Sequence, residues 1–127
     1  MRYALIIYAD PEVRSRIGPE TEDAREDWVS YIRSAQQAGV FLTAVGLHDP
    51  DTATTVRRPA GELLLTDGPF AETKEHLLGL LLIEAADLDT AIDWAARMPV
   101  ALHGSVEIRP LLPALEAVGR AGSPATR

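Results

Sequence analysis

The chain has no cysteine, which excludes disulfide bonds, thiolate metal sites and a cysteine nucleophile. Long apolar runs are missing too: the longest, residues 77–83, is far below the roughly 20 residues that span a bilayer, so we expect no membrane association. Basic residues are few, with 12 Lys and Arg against 19 Asp and Glu and a formal net charge of −7. Because phosphate backbones are bound through basic patches, we expect no direct binding of nucleic acid.

Motifs for metals and cofactors are missing as well. The histidines, at positions 48, 76 and 103, have neither HxxxH spacing nor a neighbouring ligand cluster, so we expect no metal site. No glycine-rich phosphate loop follows an expected strand, and the chain has no Gly-x-Ser-x-Gly nucleophile elbow. We therefore expect no cofactor and no serine hydrolase of the α/β class.

The length and composition fit one globular domain. With 127 residues, 46% of them hydrophobic, the chain can form a core without staples. Its first apolar run ends at Asp10 without a small-residue cleavage pattern, which indicates a first strand and a cytoplasmic protein. After Pro113 the chain is rich in Ala, Gly, Pro and Ser. The sequence thus predicts a domain over residues 1–113 and a flexible tail over residues 114–127.

Hydrophobic periodicity predicts an α+β fold. Alternating or two-sided apolar runs predict strands at residues 2–9, 40–45, 77–83 and 105–110, and a hairpin at residues 52–58 and 62–66. A helix is expected over residues 22–38, with the apolar stripe Ala24, Trp28, Ile32 and Ala35. A second helix is expected to begin after Asp87, which would be its N-cap, and to end at Pro99. This order resembles a ferredoxin-like split βαβ subunit with an extra hairpin.

Such a subunit would have one uncovered sheet face. Two helices can cover only one side of the sheet, yet residues 77–83 are apolar on both sides. An exposed face of this kind is adhesive unless another subunit covers it. We therefore expect a homodimer that packs sheet to sheet.

The most informative stretch is residues 66–75, which combine turn residues, carboxylates, a cation and an aromatic ring between apolar runs. Its Asp67-Gly68-Pro69 turn restricts the backbone, so we expect a rigid loop. Rigid polar loops often carry binding or catalytic residues. Asp-Gly is equally an ordinary turn signal, in which Asp67 only hydrogen-bonds the backbone of its own turn.

The same stretch, together with residues 54–57, 87–89, 94–97 and 106–110, resembles the DGPF subgroup of the YCII-related family. The resemblance implies a dimeric α+β barrel of ferredoxin-like subunits. It also implies a His on the first helix and an Asp after the second, but these positions fall at Trp28 and Met98, which cannot supply the proton chemistry. Some DGPF genes lie near sigma-factor genes, which adds a regulatory association without a mechanism.

The catalytic candidates are Asp67, Glu72 and His103. Asp67 follows an apolar strand, where a partly desolvated carboxylate serves as a general base; the alternative is a turn cap. Glu72 would hold a polar substrate or orient Asp67, unless it belongs to a solvated charge cluster with Glu75. His103, at the entrance to the last strand, is a candidate acid or base partner.

The binding candidates are Arg57, Phe70, Lys74 and Arg109. Arg57 and Arg109, with Arg58, would form an anion site if the hairpin meets the final strand; otherwise they protect strand edges or pair with nearby Glu residues. Phe70 either lines a pocket or packs on the core as a hydrophobic anchor for the loop. Lys74 would hold a polar substrate.

Two function classes fit these residues. One is a cofactor-independent small-molecule enzyme, a lyase or isomerase, that uses Asp67 with Glu72 or His103. The other is a non-catalytic ligand-binding or regulatory dimer, whose same loop holds a metabolite or a partner protein. The replaced His–Asp pair favours the second class, and the density of functional groups in the loop favours the first. The substrate does not follow from the fold.

Overall fold

A computed structural model describes residues 1–17 and 21–113 of the chain. The predicted tail, residues 114–127, lies outside the described residues. Within them the elements follow in the order β1 (Arg2–Ala9), α1 (Pro11–Ile17), α2 (Glu22–Gln37), β2 (Phe41–Gly46), β3 (Thr54–Arg57), β4 (Leu64–Asp67), β5 (His76–Glu84), α3 (Leu88–Ala96) and β6 (Ser105–Pro110).

Four of the strands form one antiparallel sheet in the order β2-β5-β1-β6, while β3 and β4 form a separate two-stranded hairpin. The two central strands, β1 and β5, are the most apolar of the sheet, as expected for strands that pair with a neighbouring strand on each side. This topology confirms the predicted α+β class with a ferredoxin-like subunit and an extra hairpin.

One face of the sheet packs against α2 and α3. Side chains alternate along each strand, so every second residue of the central strands joins the core. The buried core includes Tyr3, Leu5 and Ile7 of β1, Leu81 and Ile83 of β5, Tyr31 and Ala35 of α2, and Ala91, Trp94 and Ala95 of α3. Val106 and Ile108 of β6 also pack against this core, so the opposite face carries the intervening residues.

Polar side chains fix where the helices begin. The Thr21 hydroxyl accepts a hydrogen bond from the Ala24 amide at the start of α2, and Asp87 accepts one from the Thr90 amide at the start of α3. The N-cap role predicted for Asp87 is therefore confirmed. After α2, Gly39 takes a φ of 75°, which ends the helix.

The short helix α1 was not predicted. Asp10 accepts a hydrogen bond from the Val13 amide over 2.8 Å, and Pro11 occupies the first helical position. This Asp-Pro start is a helix signal that the hydrophobic pattern of so short a segment does not reveal.

Tyr31 is the most buried aromatic residue of α2, although the predicted apolar stripe omitted it. Its hydroxyl donates a 2.7 Å hydrogen bond to the Trp94 carbonyl, and its ring lies edge-on to the Trp28 and Trp94 rings. Burial raises the pKa of Tyr31 to about 12. The phenol can enter the core because its single polar group is paired there.

We expect the burial of the Tyr31 phenol to make stability fall at high pH. Since the folded-state pKa of Tyr31 is raised above 10, its contribution is complete below pH 10 and is lost as pH rises toward 12. Urea unfolding of the wild type and Tyr31→Phe should show the difference between their unfolding free energies changing over that range, to the disadvantage of the wild type. A difference that stays constant would contradict this.

Candidate functional site

The loop between β4 and β5 is tied to the strand β3. The Gly68 amide donates a hydrogen bond to the Ala53 carbonyl over 2.7 Å, and the Thr55 hydroxyl donates to the Gly68 carbonyl over 2.8 Å. Gly68 has a φ of 104°, a conformation that favours glycine. These bonds hold the loop beside the segment that follows β2.

A cleft of about 640 Å³ opens between these two segments, residues 47–53 on one side and residues 69–77 on the other. We call it the loop cleft. Its polar lining comes from separate parts of the chain and consists of Tyr8, His48, Asp49, Asp51, Thr52, Glu72, Thr73 and His76. Clefts in which a few polar groups converge are the usual location of small-molecule sites.

The lining of the loop cleft is acidic. Asp49, Asp51 and Glu72 contribute carboxyl groups, and no Lys or Arg belongs to the lining among the described residues. The charge of Asp49 is partly neutralised by Arg14, which is not part of the cleft lining and whose Nε lies 3.0 Å from an Asp49 carboxylate oxygen. The charge of the cleft therefore favours a cationic ligand, or a neutral one with hydrogen-bond donors.

Tyr8 supplies a protonated phenol at the inner wall of the loop cleft. Burial raises its pKa, and the charge of Glu107 and a hydrogen bond to it raise the pKa further. The hydroxyl donates to a Glu107 carboxylate oxygen over 3.3 Å. Tyr8 thus keeps its proton at neutral pH and can act in the cleft as a hydrogen-bonding group.

A second cavity, which we call the apolar pocket, lies between α2 and the β2 side of the sheet and measures about 290 Å³. Trp28 and Ile32 from α2 face Ala44 of β2 and Leu81 of β5 across it. Arg14 and Arg25 are the charged residues of its lining.

Metal ligands do not converge in either cavity. Among residues 1–17 and 21–113, no group of three or more His, Cys, Asp or Glu is placed to hold a metal ion. The same part of the chain contains no helix long and apolar enough to cross a membrane.

The family of the chain follows from its sequence as a whole, since the YCII-related domain model matches residues 1–114. The chain belongs to the YCII-related family. It is also similar to an uncharacterized protein of Rhizobium meliloti (strain 1021), with 43% identity over 115 residues that cover 87% of this chain and 92% of the relative.

The positions of the expected family dyad can now be placed in this YCII-related chain. Trp28 lines the apolar pocket, whereas Met98 is 1% exposed and lies in the core. Neither side chain exchanges protons, so both positions are filled by apolar packing in this protein.

The three predicted catalytic residues do not line one cleft together. Glu72 lines the loop cleft. Asp67 lies at the exposed end of β4, opposite Thr54 of β3, and is not part of the cleft lining. His103 is exposed after the turn formed by Pro99–Leu102 and is not part of that lining either. Their proposed catalytic roles therefore depend on a substrate or a second chain that would bring them together.

The predicted binding residues are also spread apart. Arg57 lies on β3, and Arg109 lies on β6 in the other sheet, where its Nε pairs with a Glu107 carboxylate oxygen at 3.1 Å. For Arg109 the structure therefore matches the predicted alternative to an anion site, namely pairing with a nearby Glu. Phe70 is 79% exposed and Lys74 is exposed as well, so both are accessible in the single chain.

Sequence reasoning missed most of the cleft. Asp51 was not considered, and His48 and His76 were considered only as metal ligands, because nothing in the local sequence shows that these residues lie beside one cleft. The pairing of β2 with β5 brings the end of one strand next to the start of the other. The polar run at residues 48–52, which resembles the loop at residues 66–75 in its turn residues, was the available signal.

Replacing Asp67 with asparagine tests its two predicted roles. Within the described chain its exposed carboxylate makes no hydrogen bond, so we expect the unfolding free energy to change by about 0.5 kcal/mol or less. A turn cap would instead lose roughly 0.5–2 kcal/mol, measured by urea unfolding. If a turnover is found and the variant lowers it by roughly 10² to 10⁴, Asp67 is the general base.

Proposed function

We propose that this protein is a small-molecule-binding protein, which holds a cationic or neutral polar ligand in the loop cleft and belongs to the DGPF subgroup. The observation that carries the proposal is that two His, Tyr8 and three carboxyl groups line one cleft of about 640 Å³. One of its walls is the loop at residues 66–75, the stretch in which the DGPF resemblance is concentrated.

The charge of the cleft supports the ligand class. Asp51 and Glu72 are exposed carboxylates, and Asp49 keeps 62% of its side chain accessible despite its pairing with Arg14. The carboxylates of Asp51 and Glu72, which have no Lys or Arg beside them in the described cleft lining, repel an anionic ligand and attract ammonium or guanidinium groups. Thr52 and Thr73 add hydroxyl groups that can accept hydrogen bonds from such donors.

The replacement of the family's His–Asp pair by Trp28 and Met98 supports a protein that binds its ligand without catalysis. A regulatory dimer, in keeping with the sigma-factor association of the subgroup, fits this form. One observation favours a lyase or isomerase as the second candidate: His76 and Glu72, a possible acid–base pair, line the same cleft.

We propose further that the chain acts as a homodimer, a dimeric α+β barrel, in the cytoplasm. The sheet face turned away from the helices carries Ile6 of β1 and Leu80 and Leu82 of β5, which are half-buried, and Val45 of β2, which is 52% exposed. A second copy would cover this face by a symmetric contact.

The ligand class is tested with three compounds of equal chain length: putrescine, 1,4-butanediol and succinate. Isothermal titration calorimetry should show putrescine binding at least about tenfold more tightly than succinate, because its ammonium groups meet the acidic lining. Glu72→Gln should reduce that preference. Glu62→Gln, which changes an exposed carboxylate outside the cleft, should leave it unchanged. Equal or stronger binding of succinate would contradict the proposal.

A further inference from the structure

We propose that the apolar pocket is a second binding site, for a small monoanion with a hydrophobic body such as an aliphatic or aromatic carboxylic acid. The site differs from the loop cleft in charge and ligand class, although the two cavities are neighbours that share Leu47, and its proposal does not depend on the function proposed for that cleft.

The shape and lining of the pocket support a hydrophobic ligand body. Trp28, Ile32, Leu81 and Val100 contribute apolar walls around about 290 Å³, which is near the lower end of the range for small-molecule sites. The walls are fixed by the core: Leu81 and Val100 are each 1% exposed, and the Trp28 ring lies edge-on to Tyr31 with 6.0 Å between ring centroids. A ligand therefore meets a surface that is already formed.

The charge of the pocket supports an anionic head group. Its lining contains Arg14 and Arg25 and, among the described residues, no Asp, Glu or His. The loop cleft has the opposite character, with carboxyl groups and no cation in its lining. In a chain with a net charge of −7, a guanidinium at the edge of an apolar cavity favours an anionic ligand locally, and the Arg14 side chain supplies the geometry for it.

Arg14 provides the most specific observation. Its Nε lies 3.0 Å from an Asp49 carboxylate oxygen, and its Nη2 donates to the Leu47 carbonyl over 2.9 Å. These two contacts hold the guanidinium in place. Its Nη1 is shielded from solvent and has no hydrogen-bond partner in the described part of the chain.

A buried donor without an acceptor is costly, and a charged donor more so. A carboxylate bound in the pocket would supply that acceptor and form a charge-assisted hydrogen bond. An alcohol of the same length would make the same apolar contacts, but its hydroxyl would be a weaker hydrogen-bond acceptor for Arg14. An amine would bring a positive charge next to Arg14 and Arg25. The head group, rather than the tail, should therefore decide the affinity.

Octanoate, 1-octanol and octylammonium form the matched set of probes, titrated below their micelle concentrations by calorimetry and followed by tryptophan fluorescence. Octanoate should bind once per chain and at least about tenfold more tightly than either control. Octanoate binding should quench or shift the emission of the wild type but not of Trp28→Phe. Equal binding of the three probes would overturn the proposal.

Substitutions of Arg14 and of its ion-pair partner Asp49 distinguish the contribution of the guanidinium from that of the ion pair. Arg14→Gln should weaken octanoate binding by at least about tenfold, while Arg33→Gln, an exposed arginine of α2, should not. Asp49→Asn removes the competing negative charge, while the amide oxygen can still accept a hydrogen bond from Arg14 Nε and the Leu47 carbonyl still accepts from Nη2, so octanoate should bind as tightly as to the wild type or more tightly. A loss equal to that of Arg14→Gln would contradict the proposal.

The pocket itself can be filled if Arg14→Gln does not fold. Ala44→Phe places a ring at the cavity from the edge strand β2, at a position that is exposed and lines the pocket. We expect this variant to fold and to lose octanoate binding. A folded Ala44→Phe that binds octanoate like the wild type would overturn the proposal.

Discussion

Replacing Gly79 with alanine is expected to lower the unfolding free energy by roughly 3 kcal/mol or more, enough to unfold a small domain at moderate temperature. Gly79 lies in β5 at the centre of the sheet, opposite Ile7 of β1 and Gly46 of β2. A Cβ atom there would lie 2.2 Å from the Val45 carbonyl oxygen and 3.1 Å from the Gly46 Cα. Both are backbone atoms, so neither can turn away. The edge strand β2 would have to leave the sheet.

Gly46 provides the matched control for this prediction. It pairs with Gly79 across the same ladder, but a Cβ atom on Gly46 would have no neighbour within 4 Å. Urea unfolding of both variants should therefore show a small change for Gly46→Ala and a large one for Gly79→Ala. If the two variants differ by less than about 0.5 kcal/mol, β2 does not lie as close to Gly79 as described.

The elements that sequence reasoning predicted best are those whose signals are local. The bounds of β1 and β6 coincide with the predicted residues 2–9 and 105–110, because alternation of side chains is visible along the strand itself. The start of α3 at Leu88 follows from its N-cap, Asp87. The hairpin was also predicted, although its predicted arms, residues 52–58 and 62–66, each begin two residues before the observed β3 and β4.

The features that were missed depend on contacts between distant segments. Nothing within residues 77–83 distinguishes Gly79 from its apolar neighbours, and its importance appears only when β2 lies against it. Tyr31 was omitted from the stripe of α2 because its burial depends on an acceptor, the Trp94 carbonyl, that belongs to another helix. Both cases show tertiary packing deciding what local pattern leaves open.

The candidate site was predicted only in part for the same reason. The loop at residues 66–75 was correctly identified as a polar connection between strands, and its residue Glu72 lines the loop cleft. Which side chains of a loop face a cleft depends on its anchoring bonds, here those of Gly68 to β3. His48 and His76 are 28 positions apart in sequence and share the cleft through the pairing of β2 with β5.

Replacing Ile6 with lysine is expected to convert a dimer into a monomer. Ile6 lies in the central strand β1, on the sheet face turned away from the helices, between Leu80 of β5 and Glu107 of β6. In a sheet-to-sheet dimer it would be buried near the centre of the interface, where a lysine and the neighbouring Glu107 would both lose water, at a cost of several kcal/mol. In a monomer the lysine would reach water and face Glu107 across the strands, so the subunit itself should tolerate the change.

Light scattering after size-exclusion chromatography measures the outcome. At micromolar concentration the wild type should have twice the chain mass of 13.8 kDa, and Ile6→Lys the mass of one chain. Ile92→Lys makes the same change at a 45%-exposed position on α3 and should remain dimeric. The melting temperature of the wild type should rise with protein concentration, whereas that of Ile6→Lys should not, because dimerisation stabilises only a chain that can associate. A wild type that is monomeric at all concentrations would leave the apolar sheet face uncovered and contradict the proposed barrel.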